Sequence, residues 1–141
     1  MAYTFPSEEW TVAFREAVNA NDAYRKAAHD WTHGAVAMVI SADPSIGLDD
    51  DTGMILHVHQ GECRSTQFVH GMAAVEGTPF VIVGPYSRWR EVIAGTLDPI
   101  KGMMEGKLKL KAGHLPTLIR TVESARQLVS SAAKVPSEFL A

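Results

Sequence analysis

The sequence contains one cysteine, Cys63, no apolar run of membrane-spanning length, and no surplus of positive charge. One thiol excludes a disulfide framework and argues against a cysteine-based zinc site. A bilayer-spanning helix needs about 20 consecutive apolar residues, and no stretch approaches that. The formal net charge is -3, so a nucleic-acid partner held by bulk positive charge is not expected. The usual signatures of catalysis are missing as well. No G-x-S-x-G turn presents a serine, and Gly84-Pro85-Tyr86-Ser87 lacks the Gly-Lys-Ser ending of a phosphate-binding loop. The acidic loop holding Asp43, Asp49, Asp50 and Asp51 lacks the alternation and closing glutamate of a calcium loop. The opening MAYTFPSEEW has no charged segment followed by an apolar stretch, so no signal peptide is expected. The closing Phe139-Leu140-Ala141 is not a peroxisomal address. A soluble cytoplasmic protein is the default expectation.

What is present suits a globular chain. Hydrophobic residues make up 46% of the 141 residues and charged ones 21%, enough apolar material for one real core, read as a single domain over 1–141. Ser7 before Glu8 and Glu9 marks a helix start with acids in its first turn. Trp10, Ala13, Phe14, Ala17 and Val18 continue it at helical spacing. Tyr24, Ala27, Ala28 and Trp31 resume the pattern, ending near His33-Gly34. Strands are predicted at 35–42, 53–60, 63–72 and 78–84, with a tight Gly61-Glu62 turn joining the second and third. The fourth is expected to be central, because four successive residues are apolar. A fifth strand is predicted at 107–111. Its Lys107, Lys109 and Lys111 read as one solvated edge face, with a small anionic contact at a membrane surface or phosphate as the alternative. One long helix is predicted from His114-Leu115 to Ala132, and 134–141 as irregular.

The segment from Trp89 to Leu110 is the most informative. It reads as a short helix capped by Ser87 and closed by Gly95, then a second helix capped by Asp98, started by Pro99 and stopped by Gly106. Met103 and Met104 stand near Ile100 and Leu97, an adaptable apolar cluster. Asp98 fits a capping role, and Trp89 fits an anchor of its helix on the sheet. Helices at both ends and hairpin strands between them indicate an α+β fold, a sheet covered by helices on one face.

The run Trp89, Gly95, Leu97-Asp98-Pro99, Met103-Met104 and Gly106-Lys107-Leu108-Lys109-Leu110 resembles the sterol carrier protein type-two domain, and the order of elements agrees from about Trp10 to Ala133. Glu9-Trp10, Asn19, Tyr24 and Trp31 are similar to the bacterial stand-alone branch. The resemblance implies a five-stranded, mixed, mostly antiparallel sheet covered on one face by helices, with a hydrophobic tunnel between. It implies a non-catalytic carrier with no cofactor, binding a fatty acyl chain, an acyl thioester, a sterol-like molecule or an isoprenoid. Transient contact with a membrane is compatible with that role, and the oligomeric state stays open. Burial yields about 0.8 kcal/mol per methylene, so about ten of them give useful affinity with broad selectivity. The candidate wall is Met103, Met104, Leu108, Leu110, Leu118, Ile119 and Val122, each of which also fits ordinary core. Entry is expected through movement of the two short helices or the last helix, with Gly95, Gly102 and Gly106 as punctuation.

One alternative belongs to another class. His57 and His59 stand two apart on a predicted strand, with His70 on its neighbour. Three imidazoles on one sheet face could bind zinc, nickel or iron in a metal-dependent enzyme.

Overall fold

The computed structural model describes residues 2–140. Helix α1 (Glu8–Asn19) starts where expected, with the Ser7 hydroxyl accepting from the Trp10 amide at 3.0 Å. Asn21 caps α2 (Asp22–Ala27), which ends earlier than the apolar spacing suggested. Trp31 and Gly34 then continue as irregular chain, closed by the Trp31 indole donating to the Gly34 carbonyl at 2.9 Å.

The strands β2 (Val36–Ile40), β3 (Thr52–His59), β4 (Glu62–His70), β5 (Phe80–Gly84) and β6 (Lys109–Ala112) form one sheet in the order β4-β3-β2-β5-β6. Only the β2–β5 pairing is parallel among these. The predicted mixed, mostly antiparallel five-stranded sheet is therefore present, with β2 rather than β5 at its centre. Positive φ at both Gln60 and Gly61 makes the two-residue β3–β4 turn, which matches the strand twist. At the β4 edge, the Asn19 side chain bonds both the amide and the carbonyl of Cys63, at 2.8 and 3.0 Å, and covers part of that edge with α1.

Helices α3 (Tyr86–Ala94), α4 (Pro99–Met104), α5 (Leu115–Arg120) and α6 (Val122–Ala132) join α1 and α2 over one sheet face. Strand alternation divides two cores. Val36, Met38 and Ile40 face the helices with Met54, Leu56 and Val58. Ala37, Val39, Ile55 and Val81 face the other way, where a 3-10 turn at Met72–Val75 covers a smaller cluster.

Four other features differ from expectation. Pro85, not Ser87, occupies the cap position of α3. The fifth strand begins at Lys109, so Lys107 lies before it and pairs with Glu105 at 3.3 Å. The last helix is two helices, because the Thr121 hydroxyl donates back to the Thr117 carbonyl at 2.8 Å and competes with the helical ladder. The tail is not all irregular: β7 (Ser137–Phe139) pairs in parallel with β1 (Tyr3–Phe5), while Ala141 lies outside the described residues.

Candidate functional site

Between the sheet and the roof of short helices lies a cavity of about 40 Å³. Its floor is Val36, Met38, Val58 and Ile82 from three strands. Tyr24 of α2, Trp31 and Trp89 of α3 form walls. The roof comes from Ile100 and Met103 of α4, Leu118 of α5, and Ala125, Leu128 and Val129 of α6. A second space of about 10 Å³ shares Met38, Trp89 and Val129 with it and runs toward Phe5 and Trp10. The expected tunnel is thus not open in this conformation; two small separate spaces lie along its course. An apolar cavity of about 150 Å³ accepts a benzene ring, so a longer alkyl chain enters here only if the roof shifts.

The lining is mostly apolar, with the hydroxyl side chains of Tyr24, Thr121 and Ser124 among it. The Trp89 indole donates to the Val39 carbonyl at 2.8 Å, and Trp31 is likewise bonded to backbone, so both rings offer hydrocarbon to the cavity. Burial pushes the Tyr24 phenol far up, and nearby Cys63 adds to that. Cys63 is itself fully buried. Burial pushes its thiol up to about 11, against the lowering pull of Arg15, so it has little nucleophilic character. Among the described residues, no carboxylate, imidazole or amine lines the cavity.

Roof geometry follows from capping. The Asp98 carboxylate accepts from the amides of Ile100 and Lys101 at 2.9 and 3.2 Å, and Pro99 supplies the first helical residue of α4. The other Asp98 oxygen accepts from Arg126 Nε of α6 at 2.7 Å, tying two roof helices together. Burial raises the Asp98 carboxyl, but the Arg126 hydrogen bond and charge and the two amides outweigh that and hold it below its usual range. Gly95 and Gly106, on either side of α4, have φ of +81° and +77° in open space. Gly102 is different: a Cβ there would meet Leu108 at 3.2 Å, so this glycine serves close packing.

Of the seven candidate wall residues, Met103 and Leu118 line the cavity. Leu108 is 1% exposed, packed under Gly84 and Gly102 outside the cavity lining. Leu110 and Val122 are half-buried against the main core. Met104 and Ile119 turn outward, 66% and 44% exposed. Met38 and Ile82 line the cavity without having been singled out, and so do Tyr24 and Trp31, which the sequence marks as helical and family-like positions but not as wall residues. Strand parity sets the position of Met38 and Ile82, a loop path that of Trp31 and the buried face of α2 that of Tyr24, and the apolar runs alone do not reveal which of these meet.

The histidines do not converge. His57 pairs across the sheet with Ser65 and bonds Gln67 at 2.8 Å on the face away from the helices. His70 pairs with Thr52 at the far end of the same ladder, and its ring contacts Phe68 of the helix-facing core. Among the described residues no group of three His, Cys, Asp or Glu could hold a metal ion. The metal-enzyme alternative is accordingly not favoured.

No protein-family model matches the sequence, and no curated protein matches it. Solved structures do. The chain is 33% identical to a crystal structure of sterol carrier protein 2, with a TM-score of 0.85, covering 92% of this chain and 97% of that one. A conserved hypothetical protein of Thermus thermophilus, suggested to be a sterol carrier protein, is 32% identical with a TM-score of 0.87, covering 98% and 94% of the two chains. Sterol Carrier Protein 2 from Yarrowia lipolytica, in apo form, shares 11% identity at a TM-score of 0.55 over 94% and 95%, a likeness of fold alone. Among the described residues no helix is long and apolar enough to cross a membrane. With a third of its residues identical to a sterol carrier protein 2 over nearly the full length of both, this chain belongs to the sterol carrier protein 2 family.

Proposed function

We propose that residues 1–141 act as one non-catalytic carrier that binds a single apolar chain reversibly between the sheet and the roof of α4, α5 and α6. The ligand class is a fatty acyl chain, an acyl thioester, a sterol-like molecule or an isoprenoid. The principal support is the cavity itself: its lining is predominantly apolar, broken by the hydroxyls of Tyr24, Thr121 and Ser124, and no carboxylate, imidazole or amine stands among the described residues at its wall. The sterol carrier name of the relatives points the same way.

At about 40 Å³ the cavity is the closed state of such a site. Ligand entry displaces α4, a six-residue helix bounded by two left-handed glycines that stand clear of their neighbours. The gain of about 0.8 kcal/mol per buried methylene exceeds the loss of a few roof contacts once an alkyl chain is seated. Met103, half-buried and unbranched, can repack around chains of different width.

Native mass spectrometry of the purified protein, followed by organic extraction, tests this directly. An acyl or isoprenoid molecule bound at one per chain, and its displacement by a fluorescent long-chain fatty acid, is the expected result. Protein that carries no lipid and fails to bind the fluorescent fatty acid overturns the proposal.

A further inference from the structure

Buried polar side chains in this chain are almost all satisfied by the protein itself. The indoles of Trp10, Trp31 and Trp89 and the phenol of Tyr86 each donate to a protein oxygen. Thr11 and Thr52 donate to backbone carbonyls, Thr117 accepts from Arg120, and Asn21 donates to Ser131 Oγ at 3.0 Å. Two side chains are exceptions. Tyr24 is 2% exposed and Ser124 7%, and neither hydroxyl has a hydrogen-bond partner among the described residues. Both side chains line the cavity under the roof. Neither oxygen is wholly enclosed, so each stays open to a molecule that enters.

Their place follows from the pairing of two helices. Asn21 Nδ2 ties α2 to α6 by donating to Ser131 Oγ and to the Gln127 carbonyl, the latter at 3.2 Å. Tyr24 stands three residues after Asn21, and Ser124 three before Gln127, so each lies about one helical turn from that tie. Burial keeps the Tyr24 phenol in its neutral, proton-donating form. The third hydroxyl of the lining is already engaged, since Thr121 donates to the Thr117 carbonyl. A hydroxyl that bonds nothing in an apolar wall is costly until a guest supplies the partner. Charge limits that guest. No lysine, arginine or histidine lines the cavity among the described residues, so a carboxylate or phosphate drawn inside would stand uncompensated, whereas a neutral oxygen would not.

We infer that Tyr24 and Ser124 are specificity-determining residues of this cavity, and that they receive a neutral oxygen, the hydroxyl or carbonyl of a lipid, inside the apolar space. The Tyr24 phenol donates to that oxygen, and the Ser124 hydroxyl, which can donate or accept, bonds the same molecule. The inference rests on the carrier reading and adds which end of the ligand enters. A long-chain alcohol or ketone goes in oxygen first. A free fatty acid goes in by its tail and leaves its carboxylate in water.

Displacement of a fluorescent long-chain fatty acid by 1-decanol and by undecane, which has the same number of heavy atoms, tests this on the full chain. The Tyr24→Phe/Ser124→Ala double variant is expected to lose about tenfold in affinity for 1-decanol. Its affinities for undecane and for the fluorescent fatty acid are expected to stay within twofold. Both substitutions remove a hydroxyl that bonds nothing in the protein, so the denaturant midpoint of the double variant is expected at or above that of the parent. Equal losses for the alcohol and the alkane, or no loss for the alcohol, overturn the inference. A lowered midpoint overturns it as well, because the hydroxyls would then be serving the fold. A parent protein that binds neither the fluorescent fatty acid nor 1-decanol strikes the carrier reading instead.

Discussion

The helical layer has a hard end and a soft end over the same sheet. At the hard end, Phe5, Trp10, Phe14, Tyr86 and Phe139 pack ring against ring, with centroids 4.6 Å apart for Phe5–Trp10 and 5.1 Å for Trp10–Phe14. Their polar atoms are spent on the chain ends: Trp10 donates to Ser137 Oγ at 2.7 Å, and Tyr86 donates to the Phe5 carbonyl at 3.2 Å. Only about 10 Å³ of space remains there. At the soft end, the short helices α4 and α5 with α6 cover about 40 Å³ with isoleucine, methionine, leucine, valine and alanine, above walls of Tyr24, Trp31 and Trp89. Rigid rings that interdigitate fix a single arrangement, whereas flexible or small side chains on interrupted helices tolerate several. One region holds the fold together, and the other is free to take a guest.

The sharpest division of labour comes from Trp10→Ala. Removing a fully buried indole from the ring cluster is expected to destabilise the protein by about 3–5 kcal/mol in denaturant unfolding. Fatty-acid affinity of the molecules that remain folded should stay within about twofold. A large loss of affinity together with intact stability would reverse the assignment of the two ends.

Filling the soft end should do the converse. Ala125→Phe places a ring in the cavity, and overpacking is expected to cost about 1–3 kcal/mol, less than the tryptophan deletion. Affinity for the fluorescent fatty acid should fall by more than about tenfold, since each 1.4 kcal/mol of lost burial is a factor of ten. An affinity equal to that of the parent protein would place the ligand elsewhere.

The two ends were not equally legible in the sequence. Capping residues are local and chemical, so Ser7, Gly95, Asp98 and Pro99 mark real boundaries in the structure. Long-range order was harder to see. Tyr3–Phe5 and Ser137–Phe139 are too short to show alternation, and their pairing joins opposite ends of the chain. Thr121 breaks the last helix by a side-chain bond to backbone, although the apolar stripe continues across it. The site suffers from the same shortness. A six-residue helix makes fewer than two turns, so no period separates Met103 from Met104 or Leu118 from Ile119. One of each pair faces the cavity and the other faces solvent. Strands β2 and β5 are apolar on both faces, which hid the floor residues Met38 and Ile82 among their neighbours.

The smallest effect sits on the boundary between the two regimes. Asp98 caps α4 and also binds Arg126 of α6, so it stabilises one roof helix and fastens it to another. Asp98→Ala should cost about 1 kcal/mol, the usual loss of a side-chain cap. Asp98→Asn keeps the capping oxygen but replaces the oxygen that accepts from Arg126 with an amide donor and removes the charge, so it should cost less and isolate the link to Arg126. The pH dependence has a definite sign. The folded carboxyl is held below its ordinary value of about 3.9. Its stabilisation is therefore complete above that value and fades as pH falls through the lower, folded one. Denaturant unfolding of the parent and the asparagine variant should differ most near neutrality and converge in acid; curves that stay parallel to the acid limit would show that the carboxylate charge contributes nothing. Because the link lies in the soft end, the asparagine variant should also release fatty acid faster at neutral pH than its small loss of stability suggests. A roof loosened without being unfolded is what a carrier needs in order to exchange its ligand, and nothing in the aromatic cluster, however strongly perturbed, should reproduce that behaviour.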